Sequence, residues 1–140
     1  MRSVLLYATA LMVLFSACSK NELKRTPEEA NIAREAMDAV LAIRSAYMEG
    51  NPEGIKTLSV SEDVLKYFSF SQRPSSLEFL FRWVELYDSK AEVYVSWKAI
   101  KKIEDAVSER EQRGLCLFVL EGKPFKLKKI MRENPFKSGE

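Results

Sequence analysis

The apolar residues of this chain change their spacing along the sequence, and this change limits what the chain can fold into. From residue 27 to about residue 49 they recur every three to four positions, and from residue 91 they alternate with polar residues. The first spacing is typical of an amphipathic helix and the second of a half-buried strand. A helix followed by strands predicts an α+β domain in which the helix packs on a sheet.

Thr26 and Gly50 mark the two ends of the first helix. Glu29 stands three residues after Thr26, which predicts a capping box, and Pro27 suits the first helical position. Gly50 is a typical helix stop, because glycine adopts the left-handed conformation that ends many helices. We therefore predict a long helix with one broad apolar face. That face comprises Ile32, Ala33, Ala36, Met37, Val40, Ile43, Ala46 and Tyr47.

Two shorter helices are predicted next, one over residues 62–68 and one over residues 75–88. Ser61 is placed to cap the first of them, and Ser75 with Glu78 forms a second capping-box pattern. The helix over residues 75–88 would be apolar nearly all round. Such a helix should be enclosed in the core or packed against a sheet.

Three stretches in the last third of the chain have strand patterns. Residues 93–97 alternate, residues 115–120 are continuously apolar, and residues 125–128 alternate again after a turn that contains Gly122. The last two stretches predict a hairpin. Residues 98–113 leave two interpretations open, since they fit either an extension of the first strand with a returning strand or a helix. The helix would place Ile100, Ile103 and Val107 on one stripe.

The order of elements, with the segment from Ala46 to Ile55 and the stretch from Trp83 to Val95, resembles the NTF2-like fold over about residues 27–131. The resemblance implies a curved antiparallel sheet that wraps the long helix into a cone with aromatic residues at its mouth. It favours strands over residues 98–113. The alternative is an α+β domain with a further helix at about residues 97–113 and a C-terminal hairpin. Candidate lining residues are Tyr47, Phe79, Trp83, Tyr94 and Trp97, although core packing is the more ordinary role for any one of them.

The first 18 residues carry the pattern of an export signal. Arg2 precedes an apolar run over residues 4–15, which is too short to span a bilayer, and two small residues stand before Cys18. The arrangement resembles the lipobox of bacterial lipoproteins, which implies that Cys18 receives a diacylglycerol and, after cleavage, an acyl chain such as palmitate. Ser19, where Asp would imply retention, implies the periplasmic face of the outer membrane in a Gram-negative cell. The alternative is an ordinary signal peptide or an N-terminal anchor helix.

Cleavage before Cys18 would leave 123 of the 140 residues, with 21 basic side chains against 20 acidic ones. This balance argues against a nucleic-acid partner. We predict a lipidated cysteine and tether over residues 18–26, one domain over residues 27–133 and a flexible tail over residues 134–140. Cys116 would remain as an unpaired thiol inside an apolar run, where cysteine behaves as a small hydrophobe.

The residue types present do not predict catalysis. The chain contains no His, and its sequence shows no metal-ligand cluster, phosphate-binding glycine loop or nucleophile elbow, so neither a metal nor a cofactor is expected. An NTF2-like enzyme would need an acid or a base in its cone. The candidates are Asp63, Asp88, Tyr47, Tyr67 and Tyr87, and their spacing singles out no pair.

We therefore expect a non-catalytic binding or adaptor domain that lipid holds at the cell envelope and whose partner is another envelope protein. The alternatives are a carrier of a small apolar ligand in an aromatic-lined cone and an NTF2-like enzyme. Lys126, Lys128 and Lys129 are candidate contacts for anionic head groups. The alternative role for these lysines is to protect an edge strand from pairing with other chains.

Overall fold

A computed structural model describes residues 25–103 and 107–137. Two helices come first, α1 (Pro27–Met48) and α2 (Pro52–Thr57), followed by 3₁₀ turns at Glu62–Tyr67 and Phe70–Gln72. Then come the strands β1 (Ser76–Leu86), β2 (Lys90–Lys102), β3 (Glu109–Glu121) and β4 (Lys126–Arg132), and a last 3₁₀ turn at Pro135–Lys137. The strands form one antiparallel sheet in the order β1-β2-β3-β4, and α1 packs against β1, β2 and β4.

Helix α1 begins and faces the sheet as its sequence predicts. The Thr26 hydroxyl accepts a hydrogen bond from the Glu29 amide at 3.2 Å, and the Glu29 carboxylate accepts one from the Thr26 amide at 3.3 Å. Just past its end, Gly50 has φ +68°, a conformation that costs glycine little. The buried face of the helix comprises Ala33, Ala36, Val40, Ile43, Ala46 and Tyr47. The predicted capping box is therefore confirmed.

The core lies between α1 and the inner face of the sheet. Along β2, alternate residues from Ala91 to Ala99 are buried, and the side chains between them are only partly covered. Strand β3 adds Phe118 and Leu120, which stand opposite Val93 and Ala91 in the register. Each large apolar side chain buried in this way contributes about 1.5–3 kcal/mol of transfer free energy, so this face holds most of the core.

Residues 98–102 and 109–113 lie in strands, as the NTF2-like resemblance favours. Strand β2 continues to Lys102 and β3 begins at Glu109, with Lys102 opposite Glu109 in the register. The intervening residues 104–106 lie outside the described residues. The alternative helix at about residues 97–113 is wrong, because Trp97 and Ala99 are buried in strand alternation.

The helix predicted over residues 75–88 is wrong, because this segment forms β1. The Ser75 hydroxyl donates to the carbonyl of Ile100 at 2.8 Å, and Glu78 lies 3.9 Å from Lys98 across the strand pair, so the two residues do not form a capping box. The register shifts between Phe81 and Trp83, where β1 carries one extra residue. This bulge interrupts the alternation, and the interrupted pattern resembles that of a helix that is apolar all round.

The helix predicted over residues 62–68 is shorter and tighter than expected. It is a 3₁₀ turn at Glu62–Tyr67, and the Ser61 side chain makes no capping hydrogen bond. Val64 on this turn is buried, which ties it to the core. Among the helices of residues 25–103 and 107–137, none has the length and apolar character that crossing a membrane requires.

The prediction of a flexible tail over residues 134–140 is wrong for residues 134–137. Pro135–Lys137 form a 3₁₀ turn, and the Phe136 side chain is fully buried. The Phe136 carbonyl accepts a hydrogen bond from the Ser69 amide at 2.9 Å. The described domain therefore extends past residue 133, whereas residues 138–140 lie outside the described residues.

Candidate functional site

The most enclosed candidate site is a cage of aromatic rings around Phe136, which we call the aromatic cage. The Phe136 ring is stacked on Phe68 with 4.5 Å between the ring centroids, and it packs edge-to-face with Tyr47 at 4.8 Å. Phe118 lies at 6.0 Å and Phe79 at 6.2 Å. Aromatic pairs at such distances contribute energy beyond the burial of their area. The cage is apolar, and in this structure Phe136 fills it.

Tyr47 is the polar member of the aromatic cage. Its hydroxyl donates to the carbonyl of Ser69 at 3.0 Å and lies 3.4 Å from the carbonyl of Phe136. Burial raises the pKa of Tyr47 to about 12, and the nearby Arg73 only partly offsets this. The hydroxyl therefore stays protonated near neutral pH, where it holds two main-chain segments together as a hydrogen-bond donor.

A larger and open concavity of about 930 Å³ lies beside the cage, and we call it the Trp97 concavity. The Trp97 ring lies so close to Gly114 that a Cβ there would be 2.7 Å from the indole. The indole N–H donates to the carbonyl of Glu133 at 2.8 Å. Its lining comprises Arg44, Glu78, Phe79, Leu80, Arg82, Ser96, Trp97, Lys98, Arg113, Gly114, Leu115 and Glu133.

Arg44 connects α1 to the edge strand at this concavity. Its guanidinium donates to the carbonyl of Leu77 at 3.2 Å and lies 5.8 Å from the centroid of the Phe79 ring. The face of an aromatic ring attracts a cation, and the Arg44 guanidinium also places a positive charge in the lining of the Trp97 concavity. Phe79 therefore belongs to both the concavity and the aromatic cage.

The outer face of the sheet, opposite α1, carries a third candidate site, which we call the outer patch. Trp83 packs on Tyr94 at 5.0 Å between ring centroids, and the register places Leu117 and Met131 in the same row across the sheet. Trp83 is 57% exposed and Leu80 on the same strand is 60% exposed. Large side chains so exposed on one face are typical of an interaction surface. The outer patch comprises Leu80, Trp83, Tyr94 and Met131, and the buried Leu117 lies between Tyr94 and Met131 in the row.

Charged residues border the outer patch. Lys98 lies 3.5 Å from Glu111, and Arg113 lies 3.2 Å from the same carboxylate. Glu78 lies 3.9 Å from Lys98, so the two cations face two carboxylates. The hydrogen bond from Arg113 holds the pKa of Glu111 below its usual range, with Lys98 adding a smaller effect. Arg82 lies on β1 between Phe81 and Trp83 and is exposed. It makes no ion pair within residues 25–103 and 107–137. Its charge is therefore open to an acidic partner group.

The five aromatic residues named as candidate lining residues do not share one site. Phe79 and Trp97 line the Trp97 concavity, and Tyr47 lies in the aromatic cage. Trp83 and Tyr94 lie together on the outer face. Sequence alternation groups residues by face, but it does not say which face the helix covers. Phe68, Phe118 and Phe136, which complete the cage, were missed as site residues.

The three lysines named as head-group contacts are exposed, but they differ in surroundings. Lys126 borders an apolar groove with Ala39 of α1, while Lys128 lies 2.9 Å from Glu121 in an ion pair. Lys129 stands opposite Val119 on the outer face. Part of the edge beside them is already paired, because Ser59 forms a parallel bridge with Leu127 of β4.

The candidate acids and phenols lie on separate elements. Asp63 is exposed on the Glu62–Tyr67 turn, where Lys66 lies 5.3 Å from the Tyr67 ring, and Asp88 is exposed in the turn after β1. Tyr87 beside it is 56% exposed, and its pKa is raised chiefly by Glu92. Within the part of the chain that the structure describes, no group of three or more His, Cys, Asp or Glu side chains is placed to hold a metal ion.

Cys116 is buried at the centre of the inner face. It stands opposite Val95 in the register and is fully inaccessible, and burial raises the pKa of its thiol to about 12. A thiol that stays protonated and inaccessible is a poor nucleophile. Cys116 therefore packs as an apolar core residue.

No protein-family model matches this chain, and no curated protein matches it. Among solved structures, its fold is similar to that of a Nuclear transport factor 2 (NTF2-like) superfamily protein from Salmonella enterica serovar Typhimurium, with a TM-score of 0.61 at 10% identity. The similarity covers 79% of this chain and 96% of that chain. At this identity the likeness concerns the fold alone. The chain has an NTF2-like α+β fold, as its order of elements predicts.

Proposed function

We propose that this chain is a lipid-anchored, non-catalytic binding domain of the bacterial cell envelope, which binds another envelope protein through the outer patch. The observation that carries the proposal is the exposure of Trp83 and Leu80 on a sheet face that α1 does not cover. Tryptophan is prominent among the residues that contribute most to protein interfaces. Arg82 beside them favours a partner surface with apolar side chains and an acidic group nearby.

The position of the tether supports the same proposal. Arg25, the first described residue, donates a hydrogen bond to the carbonyl of Val84, which directly follows Trp83 in β1. A lipid on Cys18 would therefore join the domain beside the outer patch. The six residues 19–24 between Cys18 and Arg25 reach at most about 21 Å when extended, so the partner surface would lie close to the membrane.

The anchor is tested by Cys18→Ser in the full chain, expressed with a clickable palmitate analogue. We expect the native chain to incorporate the analogue and to sediment with membranes, and the variant to do neither. Cys116→Ser is the matched control, because its thiol is buried and should accept no lipid. Equal incorporation and equal membrane association in the native chain and the Cys18→Ser variant would overturn the anchor.

The binding surface is tested by photo-crosslinking in living cells. A benzophenone amino acid at position 83 should give a discrete crosslinked protein band, because this position lies in the outer patch. The same amino acid at Arg34, which is exposed on α1, is the control and should give none. A band of equal intensity from both positions, or from neither, would contradict the proposal.

The carrier alternative meets an obstacle in the described structure. Phe136 occupies the interior of the cone, where a small apolar ligand would lie. A carrier with a permanently open cone would need the last residues of the chain to be elsewhere. This favours the outer patch as the site of the proposed function.

A further inference from the structure

A recess lined by positively charged side chains lies at the end of the sheet where β2 ends and β3 begins, and we call it the basic recess. Its volume is about 490 Å³, which is in the range of pockets that hold small molecules. Among the described residues that line it, four are cationic and none is acidic. The four are Arg73, Lys101, Lys102 and Arg110. The lining therefore carries charge of one sign.

Strand alternation places cations and acids of this region on opposite faces of the sheet. Ala99 is buried on the inner face, so Lys101, two residues further along β2, lies on that face too. The register sets Arg110 of β3 directly opposite Lys101. The acids Glu109 and Glu111 have the other parity, so they lie on the outer face, away from Lys101 and Arg110.

Lys101 and Arg110 form a cross-strand pair of like charge. Side chains directly opposite each other in an antiparallel pair have their Cβ atoms about 4.5–5.5 Å apart, and like charges placed there destabilise the sheet. Arg110 makes no ion pair within residues 25–103 and 107–137 that would offset the repulsion. A pairing that costs stability in the free protein favours a role in binding an anion.

Arg73 is held in place on the other side of the basic recess. Its Nη1 donates to the carbonyl of Met48 at 2.6 Å, and its Nε donates to the carbonyl of Phe70 at 3.2 Å. A Cβ at Gly50 would lie 2.9 Å from the guanidinium carbon, so these two residues are in close contact. The third nitrogen, Nη2, donates to none of the described residues. A guanidinium fixed in this way loses little further freedom when it binds an oxyanion.

Gln112 adds an unpaired polar atom to the lining. Its side-chain oxygen Oε1 is inaccessible and accepts no hydrogen bond within the part of the chain that the structure describes. Buried polar atoms are nearly always paired, and an unpaired one costs stability. An amide oxygen can only accept, so a bound molecule that satisfies it, after a turn of the side chain, must supply a hydroxyl or N–H group.

The basic recess is a different site from the aromatic cage and the Trp97 concavity. The register sets Leu77 opposite Ala99 between the recess and the row that contains Trp97, and both residues are buried. Among the described residues that line the recess, none is aromatic. A ligand of the recess is therefore recognised by charge and hydrogen bonds rather than by ring packing.

The basic recess lies at the opposite end of β2 from the tether. Arg25 contacts the carbonyl of Val84, which pairs with Val93, and nine positions of β2 separate Val93 from Lys102. At about 3.3 Å per residue this is about 30 Å, longer than the reach of about 21 Å that residues 19–24 allow. The recess would touch the anchoring membrane only when the sheet lies along its surface. A soluble ligand and a lipid head group are both compatible with this position.

We propose that the basic recess binds a phosphate ester that carries a neighbouring hydroxyl group, such as glycerol phosphate or the head group of phosphatidylglycerol. Arg73, Lys101 and Arg110 bind the phosphate oxygens, because guanidinium and ammonium groups form charge-assisted hydrogen bonds to phosphate. The hydroxyl group donates to Gln112. This inference goes beyond protein binding at the outer patch and does not depend on it.

Calorimetric titration of the full chain in neutral detergent is the direct test, with glycerol 3-phosphate as the probe and glycerol as the uncharged control. The native chain should bind the probe and not glycerol. Arg110→Gln should weaken binding about tenfold or more, because it removes a charge-assisted contact. Arg113→Gln is the matched control, since it removes the same charge from an exposed position of β3 on the outer face. No binding by the native chain, or equal weakening by both variants, would overturn the proposal.

Gln112→Leu tests the hydroxyl group of the ligand. The variant should be at least as stable as the native chain, because an apolar side chain of similar size replaces an unpaired buried atom. It should bind inorganic phosphate as the native chain does, but glycerol 3-phosphate about threefold or more weakly, since the hydroxyl loses its acceptor. Equal affinity of the two chains for glycerol 3-phosphate would overturn the proposed hydroxyl contact.

Native mass spectrometry of the full chain in the same detergent distinguishes a lipid from a soluble ligand. If the ligand is a head group, added short-chain phosphatidylglycerol should give a bound lipid that Arg110→Gln reduces and Arg113→Gln does not. Phosphatidylcholine, whose choline group carries no hydroxyl, should give no such bound lipid. If the ligand is soluble, glycerol 3-phosphate binds in the titration and neither lipid depends on Arg110. Absence of binding that depends on Arg110 in both experiments would overturn the proposal.

Discussion

The two tryptophans of this domain lie on opposite faces of one sheet and have opposite surroundings. Trp97 is 6% exposed, lies against Gly114 and donates a hydrogen bond to the main chain, whereas Trp83 is 57% exposed and lies on Tyr94. The inner face is covered by α1 and closed by Phe136, whereas α1 does not cover the outer face. The comparison teaches that residues of one type stabilise the fold on one face and remain available to a partner on the other.

The largest expected effect comes from replacing each tryptophan by alanine. Trp97→Ala should lower the free energy of unfolding by about 3–5 kcal/mol, because it removes a buried ring and leaves a cavity. Trp83→Ala should change it by less than about 1 kcal/mol, since most of that ring is already in water. Urea titration followed by circular dichroism measures both. Equal losses would break the contrast between the faces.

Gly114→Ala should have the next largest effect. The new Cβ would lie 2.7 Å from the Trp97 ring, so the ring or β3 must move, at a cost of about 1–3 kcal/mol. Ser96→Ala, on the outer face of the neighbouring strand, is the control and should be nearly neutral. Thermal unfolding of both variants measures the difference. A stable Gly114→Ala would indicate that Trp97 is less tightly held than the structure describes.

Tyr47→Phe should have a smaller effect that depends on pH. Loss of the hydroxyl removes its hydrogen bond to Ser69, which contributes about 0.5–1.5 kcal/mol near neutral pH. Burial raises the pKa of Tyr47 from 10.0 to about 12, so the native state binds this proton more tightly than the unfolded state does. Stability from this group is therefore complete below pH 10 and is lost as pH rises towards 12.

The measurement for Tyr47 is the free energy of unfolding as a function of pH. Between pH 10 and 12 the native chain should lose stability more steeply than Tyr47→Phe, because the variant lacks this titration. Tyr67→Phe serves as the control, since Tyr67 lies only partly buried at the end of the Glu62–Tyr67 turn. If the native chain and Tyr47→Phe had parallel pH profiles, Tyr47 would not be buried as described.

The smallest effect on stability is expected at the outer patch. Leu80→Ser replaces a side chain that is 60% exposed, so the free energy of unfolding should change by no more than about 0.5 kcal/mol. The same substitution should weaken crosslinking from position 83, because it removes apolar area from the patch. A large loss of stability would place Leu80 in the core and would argue against a free outer face.

The sequence predicted α1, its caps and the C-terminal strands well, because each follows from local and regular spacing. It failed at β1, since the extra residue between Phe81 and Trp83 breaks the alternation. It also failed at Phe136, where one apolar residue in a short polar segment gives no periodic signal. Burial of that ring depends on Tyr47, Phe68 and Phe118, which are distant in the sequence and meet only in the fold.

The candidate site was predicted in its residue types but not in its arrangement. Aromatic residues of β1 and β2 were expected to line one cone mouth, and they are divided between two faces. The export signal and Cys18 remain predictions from the sequence, because residues 1–24 lie outside the described residues. The proposed function therefore combines a predicted anchor with a described surface.

The rate of thiol labelling at position 80 in cells tests the central claim, that a partner covers the outer patch. In a Leu80→Cys chain, the buried Cys116 should not react, and a lipidated Cys18 has no free thiol to label. A membrane-impermeant maleimide, applied after the outer membrane is permeabilised, should label position 80 rapidly in the purified protein and slowly in the cells. Arg34→Cys on α1 should react at similar rates in both settings. Equal rates at position 80 in cells and in purified protein would contradict the account.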